Sequence, residues 1–166
     1  KKLLKKKGIW YNEMLELGYN YRLSDIQASL GISQLKRIDK FLKKRKFIAN
    51  FYNKLFSNNE KFKIPKISKN CSHAFHLYPL LIDCKKIGIS KINIFKKFLK
   101  NKIKLQVHYI PINSQPYYKK NFKLIIKDFK NSFFFYNKEI SLPIYYDLSM
   151  TQLNYIKKVC KKIFKF

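Results

Sequence analysis

Asn20 and Arg22 stand just ahead of Ser24 and Gln27 in the stretch Leu17-Gly-Tyr-Asn-Tyr-Arg-Leu-Ser-Asp-Ile-Gln-Ala28. The Ser-x-x-Gln spacing predicts a capping box, in which Ser24 and Gln27 satisfy each other's amides at a helix start. Gly18 predicts a tight turn before it. A helix N-terminus offers unpaired N–H groups and the positive end of the helix dipole, so polar side chains delivered there suit an anionic ligand. On the residues alone, Asn20 is equally a turn or capping residue. Arg22 is equally suited to an ion pair with Asp25 or Glu16.

Cys71, His73, His76 and Cys84 form a second group of ligand-type side chains. Zinc ligands usually pair as two cysteines separated by about two to four residues or two histidines separated by about three to five. The spacings here match neither, and no metal site is expected. Cys71, Cys84 and Cys160 are an odd number at wide intervals, not a disulfide framework, and are expected in a reducing cytoplasm. A third candidate group, Gln106, Val107, His108 and Tyr109, lies in an alternating stretch from Ile103 to Tyr109. The alternation puts Leu105, Val107 and Tyr109 on one strand face and Lys104, Gln106 and His108 on the other. His108 as a solvent-facing strand residue and Tyr109 as a core aromatic are the plain readings.

The elements that must carry these groups are legible from periodicity. From Asp25 to about Phe56, apolar residues recur at positions 26, 30, 35, 38, 42, 48, 52 and 55, the pattern of an amphipathic helix about thirty residues long. Gly31 inside it costs about 1 kcal/mol relative to Ala and predicts close packing or a bend. His73–Asp83 reads as a strand, with Pro79 arguing for an edge or a bulge. Gly88 breaks the chain, and Ser90 caps a helix with Ile94, Phe95, Phe98 and Leu99 on one face. Pro111 and Pro116 punctuate a loop. Phe129–Lys138 reads as a helix and Ile140–Pro143 as a short strand. Ser149 and Gln152 form a second capping box before a last helix with Leu153, Ile156, Cys160 and Ile163 on one face. The expected fold class is α+β, a small mostly antiparallel sheet covered by helices.

Composition bounds the rest. At 166 residues, 46% of them apolar, the chain can bury a core of its own. No apolar run approaches the roughly 18 residues of a membrane span, and Asn12, Glu13 and Glu16 interrupt any signal-peptide core after Lys1–Lys7. The formal net charge is +28, which raises the alternative of a basic nucleic-acid-binding module. Of the 37 basic residues only Arg22, Arg37 and Arg45 are arginine. Arginine is the residue of bidentate phosphate recognition, whereas these lysines are spread over the whole chain. With 21 Ile, 14 Asn, 15 Phe and 12 Tyr, all with codons rich in A and T, the charge looks like base-composition bias. No specific nucleic-acid partner is therefore expected. A decayed gene product without present function is a third reading.

Four ordered blocks resemble one family. Gly18-Tyr-Asn-Tyr-Arg22 is similar to the segment that follows the active-site lysine in DegT/DnrJ/EryC1/StrS sugar aminotransferases. His73-Ala-Phe-His-Leu-Tyr-Pro79 resembles that family's His-Leu-Tyr strand. Leu105-Gln-Val-His-Tyr-Ile-Pro-Ile112, with Gln115-Pro-Tyr-Tyr118 after it, resembles the Val-His-Tyr-x-Pro-Ile stretch of the branch acting on UDP-linked 4-keto-6-deoxy-N-acetylhexosamines. Tyr136-Asn-Lys-Glu-Ile-Ser-Leu-Pro143 resembles the Glu-x-Ser-Leu-Pro ending. Asn113 departs from the pattern, since relatives often carry an aromatic residue or His there.

The resemblance implies the C-terminal small domain of a fold-type I enzyme that uses pyridoxal 5'-phosphate (PLP). It implies a boundary between a large-domain or interface segment (residues 1–23) and the small domain with its long connecting helix (residues 24–166). It implies that Asn20 contacts the cofactor phosphate, with Arg22 a further candidate, and that Gln106, Val107, His108 and Tyr109 touch the sugar-nucleotide. The implied partners are a missing N-terminal large domain, a second subunit of a homodimer, a UDP-sugar substrate and glutamate as amino donor. No lysine here sits in the context of the Schiff-base lysine, so no catalytic residue is expected in this chain and it should be inactive alone. The charge itself makes a prediction: binding to DNA, followed by fluorescence anisotropy, should be equal for unrelated sequences and lost by about 200 mM salt. A sequence-selective complex that outlasts that salt would favour the nucleic-acid reading.

Overall fold

Ser24, Ser90 and Ser149 each open a helix, Ser24 and Ser149 as their spacing from Gln27 and Gln152 predicts and Ser90 as a single cap. In the computed structural model, which describes residues 17–19, 21–122 and 129–166, Ser24 and Ser149 form reciprocal capping boxes with Gln27 and Gln152. Ser90 accepts from the Asn93 amide. The chain divides into two compact units, Lys1–Arg37 and Ile38–Phe166.

The first unit contributes α1 (Asp25–Leu35). The second runs α2 (Ile38–Phe56), β1 (Phe62–Lys63), β2 (Tyr78–Ile82), α3 (Cys84–Ile87), α4 (Lys91–Lys100), a 3-10 turn (Ile112–Ser114), α5 (Pro116–Phe122), α6 (Lys130–Lys138), β3 (Glu139–Leu142) and α7 (Met150–Phe164). The single amphipathic helix expected from Asp25 to Phe56 is thus two helices, parted at Lys36 and Arg37. The break is not at Gly31, where an added Cβ would meet nothing within 4 Å. Burial explains the difference in register. Ile48, Ala49, Tyr52 and Phe56 of α2 are core residues, while Ile26, Leu30, Ile32 and Leu35 of α1 are exposed, so only the second half of the apolar stripe belongs to the packed core. In Ile9–Leu17 the sequence offers Trp10, Tyr11, Met14 and Leu17 as buried candidates; Leu17 is 94% exposed, and the other three lie outside the described residues.

The sheet is antiparallel, in the order β1-β2-β3. β1 reaches only Leu81 and Ile82 of β2, whereas β3 pairs with Tyr78 through Leu81. Pro79 therefore sits in the central strand, not in an edge strand. Its partner Ser141 turns its own N–H and C=O away from β2, exchanging both with Gln106 (3.3 and 2.8 Å). Pro79 is thus at a non-hydrogen-bonded position of that ladder. An amide at position 79 would have pointed to the side β1 does not reach, so the missing donor removes no ladder bond.

The core gathers one face of each element. Tyr78, Leu80 and Ile82 alternate inward from β2 and join Ile94 and Phe98 of α4 with Leu153, Ile156, Cys160, Ile163 and Phe164 of α7. Phe56, Phe62 and Phe164 meet edge to face, with centroids 4.9 to 6.4 Å apart, a favoured aromatic geometry. The two fully buried phenols are paired: Tyr52 donates to the Pro143 carbonyl and Tyr78 to Asn53 Oδ1, each at 2.7 Å. Burial pushes both hydroxyls well above the usual tyrosine range, so they remain donors. Arg45 of α2 ties the chain entering β2 to the chain leaving β3, its Nη1 donating to the carbonyls of Phe75, His76 and Ile144 at 3.0 to 3.2 Å. Asp83 caps α3, and Gly88 ends it at φ 74°, a left-handed conformation that glycine adopts without steric cost. Phe56 sits where α2, β1 and α7 meet. Phe56→Ala should lower stability by about 3–5 kcal/mol in urea denaturation; a loss below about 1 kcal/mol would contradict its central placement.

Candidate functional site

The stretch predicted as a strand from Ile103 to Tyr109 forms a single bridge, Gln106 opposite Ser141. It begins as the alternation predicts: Ile103 and Leu105 are buried, Lys104 and Gln106 exposed. It stops at the next ladder position because a side chain takes the bond. The His108 amide donates to Glu139 Oε2 at 3.0 Å, where a backbone carbonyl would continue the ladder. Beyond it the chain enters the Pro111 loop, and Tyr109 is 72% exposed, which removes the core-packing reading of that residue. The Tyr109 ring lies edge-on to the His108 imidazole, centroids 4.6 Å apart.

His108 does not face solvent as a free strand residue. Its Nδ1 lies 2.7 Å from Ser141 Oγ, and the Ser141 hydroxyl donates to Glu139 Oε1. Glu139 is 0% and Ser141 5% exposed. Buried polar groups require partners, and here each finds them within one connected group. Glu139 and Ser141 had no role in the sequence reading, although both stand in its Tyr136–Pro143 block. The signal was available in the Glu-x-Ser spacing, since residues two apart share one strand face.

The four candidate substrate residues divide. Val107 lines a cavity of about 610 Å³ with Phe95, Leu99, Tyr136 and the lysines Lys91, Lys96 and Lys104; Gln106, His108 and Tyr109 are not among its lining residues. Lys91 donates to the Tyr136 carbonyl and lies over that ring, 5.0 Å from its centroid. Burial lowers the pKa of its amine, an effect that the charge of Glu139 opposes. An apolar cavity edged by ammonium groups suits a ligand with both an apolar surface and negative charge. Asn113 is buried, and among the described residues its Nδ2 has no hydrogen-bond partner. It lines a separate cavity of about 380 Å³ with Tyr118, Phe129 and Ser132.

Asn20 lies outside the described residues. Arg22 is exposed, and among the described residues it pairs with no carboxylate, Asp25 included. The capping box uses the amides of Ser24 and Gln27. The amides of Asp25 and Ile26 are then the remaining donors of the first turn. His73 serves its own turn, where its Nδ1 accepts the Phe75 amide at 2.9 Å. Among the described residues no three His, Cys, Asp or Glu side chains gather as metal ligands, and no helix is long and apolar enough to cross a membrane.

Comparison with known proteins gives this arrangement its family. The profile of the DegT/DnrJ/EryC1/StrS aminotransferase family matches residues 2–163, and the chain belongs to that family. The uncharacterized protein MJ1066 of Methanocaldococcus jannaschii is 41% identical over 156 residues, 94% of this chain and 40% of its own length. The UDP-4-amino-4,6-dideoxy-N-acetyl-beta-L-altrosamine transaminase of Campylobacter jejuni serotype O:2 is 40% identical over 152 residues, 92% of this chain and 40% of its own. Among solved structures, Helicobacter pylori PseC, an aminotransferase involved in the biosynthesis of pseudoaminic acid, superposes with a TM-score of 0.79 at 32% identity, over 96% of this chain and 42% of that one. The PLP form of Spr1654 from Streptococcus pneumoniae superposes at 0.77 and 25% identity, over 94% and 39%. The chain thus spans about two fifths of the length of the relatives it matches.

Proposed function

We propose that this chain is the C-terminal portion of a PLP-dependent nucleotide-sugar aminotransferase. It would move an amino group from glutamate to C4 of a UDP-linked 4-keto-6-deoxy-N-acetylhexosamine, toward a pseudaminic-acid-type surface sugar, in the cytoplasm. The observation that carries this reading is the 40% identity to a transaminase named for a UDP-linked 4-amino-4,6-dideoxy-N-acetyl sugar. On this reading residues 1–23 close the large domain or an interface, residues 24–166 form the small domain, and the working enzyme is a homodimer.

Once bound, PLP supplies an electron sink at the carbon that exchanges its amine. The residues of this chain bind and orient. Asn20 would donate an amide N–H to the cofactor phosphate, a charge-assisted bond. Arg22 and the free amides at the start of α1 have the donor chemistry that a phosphate needs, which fits the group to this segment. Gln106, Val107, His108 and Tyr109 contact the sugar-nucleotide. The lysine that holds PLP belongs to the large domain, so the 166-residue chain alone does no chemistry.

Joined to a large domain of the family, the chain should generate the visible absorbance of lysine-bound PLP and aminate the UDP-4-keto sugar with glutamate. Asn20→Ala should weaken PLP binding roughly ten- to a hundredfold, the loss expected for a hydrogen bond to a charged group. Absence of a PLP signal in every reconstituted form would overturn the proposal.

A further inference from the structure

Glu139 and His108 sit on opposite sides of one serine hydroxyl. An ionised carboxyl only accepts hydrogen bonds, and a serine hydroxyl has a single proton to give. Ser141 spends that proton on Glu139 Oε1, while Glu139 Oε2 takes the His108 amide. Ser141 Oγ therefore meets His108 Nδ1, 2.7 Å away, with lone pairs only. The bond forms when Nδ1 carries the ring proton, so the order of donation is Nδ1–H to Ser141 to Glu139. A neutral imidazole has one N–H and one bare nitrogen, and which is which is set by the bond the ring makes. Here the bare nitrogen is Nε2, and among the described residues nothing hydrogen-bonds to it.

Two further features make this more than an incidental contact. Glu139 holds the backbone of His108 as well as, through Ser141, its ring, so one buried side chain sets both the position and the tautomer of the residue. The arrangement also replaces a ladder bond that ordinary strand pairing would have made, which frees the chain beyond His108 to turn away with Tyr109 exposed. Lys91 of α4 is a charged group on another element that Glu139 stabilises in its charged form, but its amine donates to the Tyr136 carbonyl, outside the relay.

We infer that Glu139 and Ser141 are positioning residues for His108: together they hold its imidazole as the Nδ1–H tautomer and present Nε2 as an acceptor for a hydroxyl or amide N–H of the nucleotide-sugar. The ligand in this inference rests on the function proposed above; the tautomer does not. In Glu139→Gln the amide oxygen can still accept the His108 N–H, but the amide NH₂ then faces Ser141. The serine must accept from it and donate onward to Nδ1, and the imidazole proton moves to Nε2, turning an acceptor into a donor.

Long-range ¹⁵N–¹H spectra of the 166-residue chain near pH 8 test this, above the ordinary imidazole pKa of about 6.5. With His73 and His76 as the other histidines, three ring systems need assignment. His108 should be protonated on Nδ1 in the unmodified chain and on Nε2 in Glu139→Gln, with the other two rings unchanged as reporters of folding. Ser141→Ala, which keeps the strand, should remove the preference. An Nε2–H ring in the unmodified chain, or an unmoved ring in a folded Glu139→Gln variant, overturns the inference. In the enzyme reconstituted with its large domain, Glu139→Gln should raise KM for the nucleotide-sugar about tenfold, the worth of one lost hydrogen bond, with kcat within about twofold. An unchanged KM in an active variant overturns the positioning role and leaves the proposed function intact. If the unmodified reconstituted enzyme aminates no nucleotide-sugar, the function falls, while the spectra still decide the tautomer.

Discussion

A carboxyl group with no exposed surface has to be supplied with donors, and the arrangement around β3 follows from how Glu139 is supplied. One oxygen takes a hydroxyl two residues along its own strand, and the other takes the amide of a segment that has come alongside. Left unpaired in a buried position, such a group would cost several kcal/mol. The requirement acts over distance in sequence, since it draws residue 108 to residue 139 and fixes where the bridge at Gln106 must end. An irregular segment thereby acquires the definition of a strand without being one.

The same strand shows how much the sheet leans on local pairing. β3 gives one edge to β2 and part of the other to Gln106, with Ser141 facing Gln106 through its backbone. That phase places Pro79 where a donor is not wanted. A shift of one residue would turn the buried set of β2 outward and bring the proline ring to a position that needs an amide. Pattern and proline therefore specify one register together.

Much of this was readable from residues alone. The Ser-led caps and the α7 stripe are local signals, governed by side chains three or four positions apart, and they stand in the structure where the spacing places them; of the face predicted for α4, Ile94 and Phe98 are buried and Phe95 packs against the core, while Leu99 is exposed. Pro79 in a central strand was not readable, because its exemption depends on the length of β1 and on the phase of Ser141, which are pairings between distant segments. The division of the long helix at Lys36 and Arg37 was hidden for a related reason: the apolar period runs through it without a missed beat, although only the residues from Ile48 onward reach this core. At the candidate site His108 was legible as a polar residue of interest, but its plain reading was solvent. The two side chains that hold it lie thirty-one and thirty-three positions away, beyond any local rule.

Arg45 carries a separate implication. Its guanidinium has only hydrogen-bond donors, and the three carbonyls it grips only acceptors. The tie between α2, the turn at Phe75 and His76, and the chain at Ile144 therefore runs one way only, from a side chain to the backbone. Because one nitrogen serves all three carbonyls, its removal would leave the approach to β2 and the exit from β3 to find other donors at once.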